Sequence, residues 1–213
     1  MTGSRRPRAR KGEGERLRDE ILRATEALLI KTGDQEAVSI RAIAQRVGVT
    51  PPSIYLHFAD KTELIFAVCT RHFVALDDAI EAAAAGAADP LDELRERGKA
   101  YVRFGLEHPE QYRILFMSKP SAQPTAWSAD ELAENAAFAH HVEAVQRCVD
   151  AGLLDDDADP VLVAIGLWVA VHGIVSLLLA HPDFAWPDVD VLVDHVLSTQ
   201  ARGLAARQSL GQQ

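Results

Sequence analysis

The sequence predicts an all-α protein built as a small N-terminal helical module followed by a larger helical body. Three observations carry that reading. Apolar residues recur at i, i+3 and i+4 along most of the 213 residues, while strand-like alternation over four or more residues is hard to find. Glycine or proline marks several segment ends, at Gly33, Gly48, Pro51-Pro52 and Pro109. The charge is also divided. Residues 1–61 hold 12 Lys+Arg against 8 Asp+Glu, and residues 62–213 hold 10 against 23, so a basic portion precedes an acidic one within a net charge of −9. Such a division places a local anion-binding surface on a body that repels anions elsewhere.

The first segment, residues 1–15, reads as a flexible basic arm. Arg5, Arg6, Arg8, Arg10 and Lys11 occur there without an intervening acid, and no apolar run follows that would make a secretory signal. Residues 16–61 read as three helices. The first spans about Arg16 to Lys31, with Ile21, Leu22, Ala24, Leu28 and Leu29 on its inner face, and Gly33 ends it. Ser39 caps a short second helix whose apolar residues Ile40, Ile43, Ala44 and Val47 share one face. Gly48 lies just past it, where a left-handed backbone suits glycine.

Thr50 is the next N-cap candidate, its hydroxyl placed to take an amide of the first turn. Pro51 and Pro52 then fall at the first two helical positions, where missing N–H groups cost little and the fixed φ of proline suits the turn. The prolines start a helix; they do not break one. Two short helices joined by a glycine-containing turn make a helix-turn-helix, whose second helix offers its N-terminal end to the major groove of duplex DNA. Ile54 and Phe58, at i and i+4, face inward. Pro51, Pro52, Ser53 and His57 are left outward, and the Tyr55 hydroxyl and Lys61 ammonium suit phosphate oxygens.

The stretch "SIRAIAQRVGVTPPSIYLHFADKTEL", Ser39 to Leu64, resembles the DNA-binding signature of TetR-family regulators, an IA-x-x-x-GVS core followed by LY-x-HF-x-x-K-x-x-L. Val47 and Ile54 stand where alanine and leucine are commoner. The resemblance implies that Ser39, Arg41, Thr50 and Tyr55 contact or approach phosphate. It also implies that Pro51, Pro52, Ser53 and His57 face bases or sugars and that Lys61 anchors the DNA backbone. Prolines offer no polar group to a base edge, so direct readout is expected to be sparse and shape or arm contacts to carry more of the specificity.

Residues 62–213 read as a ligand-binding and dimerisation domain. One helix runs through "TELIFAVCTRHFVALDDAIEAAAA" to "GAADP", a second spans about Pro90 to Glu107, and Pro109 opens a short third. "SKPSAQPTAWS" is the clearest loop, followed by a helix from about Ala129 to Gly152. Val161 to Ala180 carries no Asp, Glu, Lys or Arg and is long enough to cross a bilayer. His172, Ser176, two glycines and acidic flanks favour a helix packed on the core on one side and on a partner chain on the other. The last helix spans about Val189 to Leu204. The family resemblance implies that the last two long helices pair with their symmetry mates, so that a homodimer reads a pseudo-palindromic operator. "LWVAVHGIVSLLL" and "EHPEQYRILF" resemble a Trp/His-Gly (WHG) subclass of the same family. Two readings stay open for this region. In one, His172 is a hydrogen-bonded core histidine and Gly173 a close helix crossing. In the other, Trp168 and His172 border a pocket with Tyr101, Phe104, Phe116, Trp127 and Phe138 that takes a small hydrophobic effector.

Catalytic motifs are missing from the sequence: no Gly-x-Ser-x-Gly, no phosphate-binding glycine loop, no His-Glu-x-x-His. His140, His141 and Cys148 lack a convincing metal spacing, and no cofactor is expected. Cys69 and Cys148 give no disulfide framework, which suits a reducing cytoplasm. The leading expectation is a repressor released by an effector. Its rivals are a helical small-molecule carrier with a vestigial helix-turn-helix, and a regulator with a closed core and no effector.

Overall fold

The computed structural model describes residues 13–117, 136–154 and 158–210, with side chains from 14 to 204. Nine helices occur among them. These are α1 (Glu13–Thr32), α2 (Ile40–Val47), α3 (Pro51–Ile54), α4 (Lys61–Ala84), α5 (Pro90–Glu107), α6 (Pro109–Phe116), α7 (Ala136–Asp150), α8 (Pro160–Ala180) and α9 (Val189–Leu210). The all-α expectation holds. The basic arm with Arg5, Arg6, Arg8, Arg10 and Lys11 lies outside the described residues. So do Trp127 and the first turns expected for the helix beginning near Ala129.

Packing divides the chain into two units. Among the described residues the first contains 13–71 and 113–117, and the second 72–112, 136–154 and 158–210. The expected boundary at 61/62 therefore moves ten residues along α4. The reason is apolar: Leu64 and Val68, on the first turns of α4, complete the core made by Ile21, Leu22, Leu29, Val38, Ile43, Ile54 and Phe58, and Ile114 of α6 joins it. In the same unit Ser39 caps α2 by accepting from the Ala42 amide at 3.2 Å, and Gly48 ends it at φ 77° with its N–H on the Ala44 carbonyl. Asp60 opens α4, accepting from the Glu63 amide at 2.8 Å while Glu63 takes the Ala59 amide.

In the second unit α5 packs against α7, α8 and α9, and α8 also meets α7 and α9. Asp89, Asp159 and Asp188 cap α5, α8 and α9 through first-turn amides. The α5–α8 crossing is tight: a Cβ on Gly105 would stand 2.5 Å from Val175 Cγ1. One on Gly98 would stand 2.9 Å from Leu197 Cδ1 of α9. Gly173, expected at such a crossing, has nothing within 4 Å of its would-be Cβ, and neither has Gly166. Helix α8 is long and apolar enough to cross a membrane by length and composition, with mean hydropathy 2.4. In this fold it buries Ala164, Val171, Ile174 and Val175, while Leu162, Val169 and Leu177 on another face stay exposed.

Candidate DNA interface and effector region

The tip of the first unit is set by its core. Ile54 and Phe58 are 0% and 1% exposed, and they clamp the segment between them so that the intervening residues must turn outward. Tyr55 is 53% exposed and Leu56 84%, while Pro52 is exposed and Pro51, Ser53 and His57 are half-buried. His57 sits near the start of α1, 3.9 Å from where a Gly14 Cβ would be, and the Arg18 guanidinium stacks over Phe58 at 4.9 Å. Helix α3 is a single turn. Thr50 does not cap it with its side chain, contrary to expectation. The physical reason lies in the prolines: Pro52 has no N–H at the second helical position, and the Ser53 N–H already bonds the Thr50 carbonyl at 2.9 Å. The Thr50 hydroxyl instead meets the Ser53 hydroxyl at 3.0 Å.

The cations of this unit differ in freedom. Arg16 pairs with Glu20 and Arg71 with Glu26. The Lys61 ammonium donates to the Gln35 carbonyl at 3.1 Å and lies 3.4 Å from a Glu36 carboxylate oxygen, so it ties α4 to the α1–α2 loop. Arg41 and Arg46 are exposed and form no ion pair among the described residues. Of the residues expected to meet DNA, Ser39, Arg41, Thr50, Pro52 and Tyr55 are therefore exposed, while Lys61 is held by protein groups. Leu56 and Arg46 went unmarked in the sequence. Leu56 was findable, since two residues beyond the buried Ile54 a helical turn points about 200° away.

In the second unit Tyr101, Trp168 and His172 come together, with the Phe138 ring at 6.3 Å from Trp168. The Trp168 indole N–H donates to the Tyr101 hydroxyl at 3.1 Å. His172 Nδ1 lies 2.7 Å from the Tyr112 hydroxyl and 3.2 Å from that of Tyr101, and its Nε2 lies 3.3 Å from Ser176 Oγ. A neutral imidazole whose Nδ1 accepts from the nearer Tyr112 hydroxyl and whose Nε2–H donates to Ser176 satisfies the ring, and burial favours that form by pushing the His172 pKa down. Burial raises the pKa of both tyrosines, keeping their hydroxyls protonated as donors. The hydrogen bonds expected of a core histidine are thus present, while the His172 ring itself is only half-buried. Tyr112 and Ser176 are members the sequence reading did not assign. Ser176 was signalled by its i+4 spacing from His172; Tyr112 had no such signal.

Two other described aromatic residues were expected around a pocket. Phe104 is buried with its ring centroid 4.9 Å from that of His108, and Phe116 packs with the first unit. A cavity of about 300 Å³ lies in the second unit, walled by Leu91, Leu94, Leu154, Leu167, Leu197 and Leu204, with Asp89, Asp92, Arg95, Ser198 and Ala201 completing its lining. His141 donates from Nε2 to the Ala164 carbonyl at 3.2 Å, and burial drops its pKa to about 4. Cys148 is buried and its thiol is pushed up to about 11, so it stays protonated.

A closed helical core that presents a one-turn helix and a polar-aromatic tip, beside unpaired arginines, defines a helix-turn-helix DNA-binding regulator. Residues 21–68 match the family described as bacterial regulatory proteins, tetR family, and residues 94–200 the tetracyclin repressor-like C-terminal domain. The chain is 30% identical over 171 residues to the HTH-type transcriptional activator FasR of Mycolicibacterium smegmatis, covering 78% of this chain and 75% of that protein. It shares its fold with a TetR family regulator from Marinobacter aquaeolei VT8, at 23% identity and TM-score 0.69, covering 89% and 95% of the two chains. It also does so with Bacillus subtilis FadR in complex with stearoyl-CoA, at 13% identity and TM-score 0.71, covering 87% and 98%. The chain belongs to the TetR family of transcriptional regulators, which are not enzymes.

Proposed function

We propose that this regulator is a cytoplasmic homodimer that reads a pseudo-palindromic operator and responds to a small hydrophobic effector, acting as a repressor that the effector releases. The observation that carries the DNA part is the tip itself. Two fully buried anchors hold Pro52, Tyr55 and Leu56 outward, and Arg41 and Arg46 stand free for phosphates. Leu56 and the proline rings suit thymine methyl groups and groove shape better than polar base edges. The homodimer reading is supported by the open face of α8, where Leu162, Gly166, Val169, Gly173 and Leu177 follow helical spacing and a Cβ on either glycine would meet no other part of the fold within 4 Å.

For the effector, the region around Tyr101, Phe138, Trp168 and His172 supplies aromatic walls and two hydroxyls that an incoming carbonyl can recruit. This is the Trp/His-Gly region of the sequence, and the fold relative from Bacillus subtilis holds an acyl thioester. The leucine-walled cavity is a second apolar space in the same unit. Coupling of about 3 kcal/mol between effector and operator suffices to empty ~99% of sites at limiting protein. An activator reading has one specific support, the activator named among the relatives.

Selection of bound duplexes from a random DNA pool at near-physiological salt tests the proposal. An inverted repeat whose binding collapses in Tyr55→Ala supports it. Recovery of no preferred sequence overturns it in favour of a carrier. Transcription from a promoter bearing the recovered repeat then decides the sign: higher output on deleting the regulator marks a repressor, lower output an activator.

A further inference from the structure

Outside both regions, three metal-ligating side chains meet on the surface of the second unit. Asp77 and Glu81 stand one turn apart on α4, and His140 comes from α7. His140 Nδ1 lies 3.1 Å from each Asp77 carboxylate oxygen and 3.6 Å from Glu81 Oε1. The three donor atoms all lie within 4.8 Å of one another. A tetrahedral dication bound at ~2.1 Å from each ligand needs donors about 3.4 Å apart. The chain already holds the histidine nitrogen near that spacing from each carboxylate, 3.1 and 3.6 Å, with all three donors in one unit.

The surroundings fit a metal as well as the spacing does. A ligating carboxylate is normally held by a further hydrogen-bonding group. Here Arg97, 4% exposed, holds Glu81 Oε1 by charge alone, with Nη1 at 2.7 Å, and donates from Nε to Glu93 at 2.9 Å. Glu93 is gripped in turn by Arg147 at 2.5 Å, so Arg97 cannot swing away freely. His140 faces both carboxylates through Nδ1, the same atom that a metal would take. One nitrogen with two carboxylate oxygens matches the ligand set of Zn²⁺ and its neighbours better than that of Ca²⁺ or Mg²⁺, which prefer oxygen alone.

We propose that Asp77, Glu81 and His140 form a divalent transition-metal site of the Zn²⁺ class that clamps α4 to α7. The test uses the full chain after chelator stripping. Zn²⁺ is titrated by calorimetry and Co²⁺ by visible absorption, for the wild type, Asp77→Asn, Glu81→Gln, His140→Gln and, as a control on exposed α9, His195→Gln. The expected result is one ion per chain with the intense Co²⁺ bands of four-coordination. His140→Gln and Asp77→Asn each lose at least about tenfold in affinity, and His195→Gln does not. Far-ultraviolet circular dichroism confirms that each variant folds, and Glu81→Gln stands in if one of the other two does not. A wild type that takes up neither ion overturns the site and leaves a His–Asp ion pair. So do folded variants that bind as tightly as the wild type.

Discussion

Replacing Gly105 with alanine tests the α5–α8 crossing directly. The added Cβ would lie 2.5 Å from Val175 Cγ1 and 3.1 Å from both Val175 Cγ2 and Tyr112 Cδ2. Neither neighbour gives way cheaply. Val175 is fully buried and stiff at χ1, and the Tyr112 hydroxyl is fixed 2.7 Å from His172. Overpacking of this kind costs about 1–3 kcal/mol, and the gain in helix propensity from glycine to alanine returns about 1 kcal/mol. A 2.5 Å contact with a stiff, buried valine belongs in the upper part of that cost, about 2–3 kcal/mol, so the net loss is ~1–2 kcal/mol, which for a chain of this length lowers Tm by roughly 2–8 °C. Thermal melts followed by circular dichroism give the number, with Gly203→Ala on α9 as the control, because nothing lies within 4 Å of its would-be Cβ. A Gly105→Ala melt equal to or above the wild type would refute the claim that this glycine sets the helix spacing.

Three other outcomes are expected. Gly173→Leu, on the open face of α8, should shift the chain from dimer to monomer in sedimentation velocity while leaving its helix content intact; an unchanged dimer mass removes α8 from the interface. For His141, the folded pKa of about 4 lies below the ordinary 6.5, so the unfolded state binds the extra proton between those values. Stability contributed by the neutral buried ring is full above pH 6.5 and falls as pH drops towards 4, by up to ~3 kcal/mol, and urea midpoints of His141→Gln should lack that slope. An effector found by screening should lose its action on DNA binding in Trp168→Ala and keep it in Leu94→Trp if the aromatic region holds it; the reverse pattern assigns it to the leucine-walled cavity.

What could be read from the sequence was local. Ser39, Gly48 and the Pro51-Pro52 pair fix helix ends through neighbours within four residues, and each end fell where those residues put it. The Thr50 cap failed because a preference for threonine at that position ignores whether the receiving amide exists. Periodicity showed which faces were apolar but not what would cover them. It therefore could not say that Gly98 and Gly105 are crowded while Gly166 and Gly173 are open. The polar partners were hidden for the same reason. Lys61 meets Gln35 and Glu36 across about 25 residues of sequence, and Tyr112 meets His172 across 60. His140 was considered beside His141 and Cys148, its sequence neighbours, when its spatial partners are Asp77 and Glu81.

The two prolines at the head of α3 also decide how this tip can hold an anion. Most helix N-termini catch a phosphate with their first free backbone amides, aided by the helix dipole. Here the first two positions have no amide, and the Ser53 amide is already bonded to Thr50. Together with its single-turn length, this makes α3 a poor cradle for a lone phosphate or sulfate ion. On the proposed reading, charge neutralisation falls instead to exposed side chains on other elements, such as Arg41 and Arg46. The tip itself is left to sense the shape of the groove, and free inorganic anions should screen the complex without competing for a seat in it.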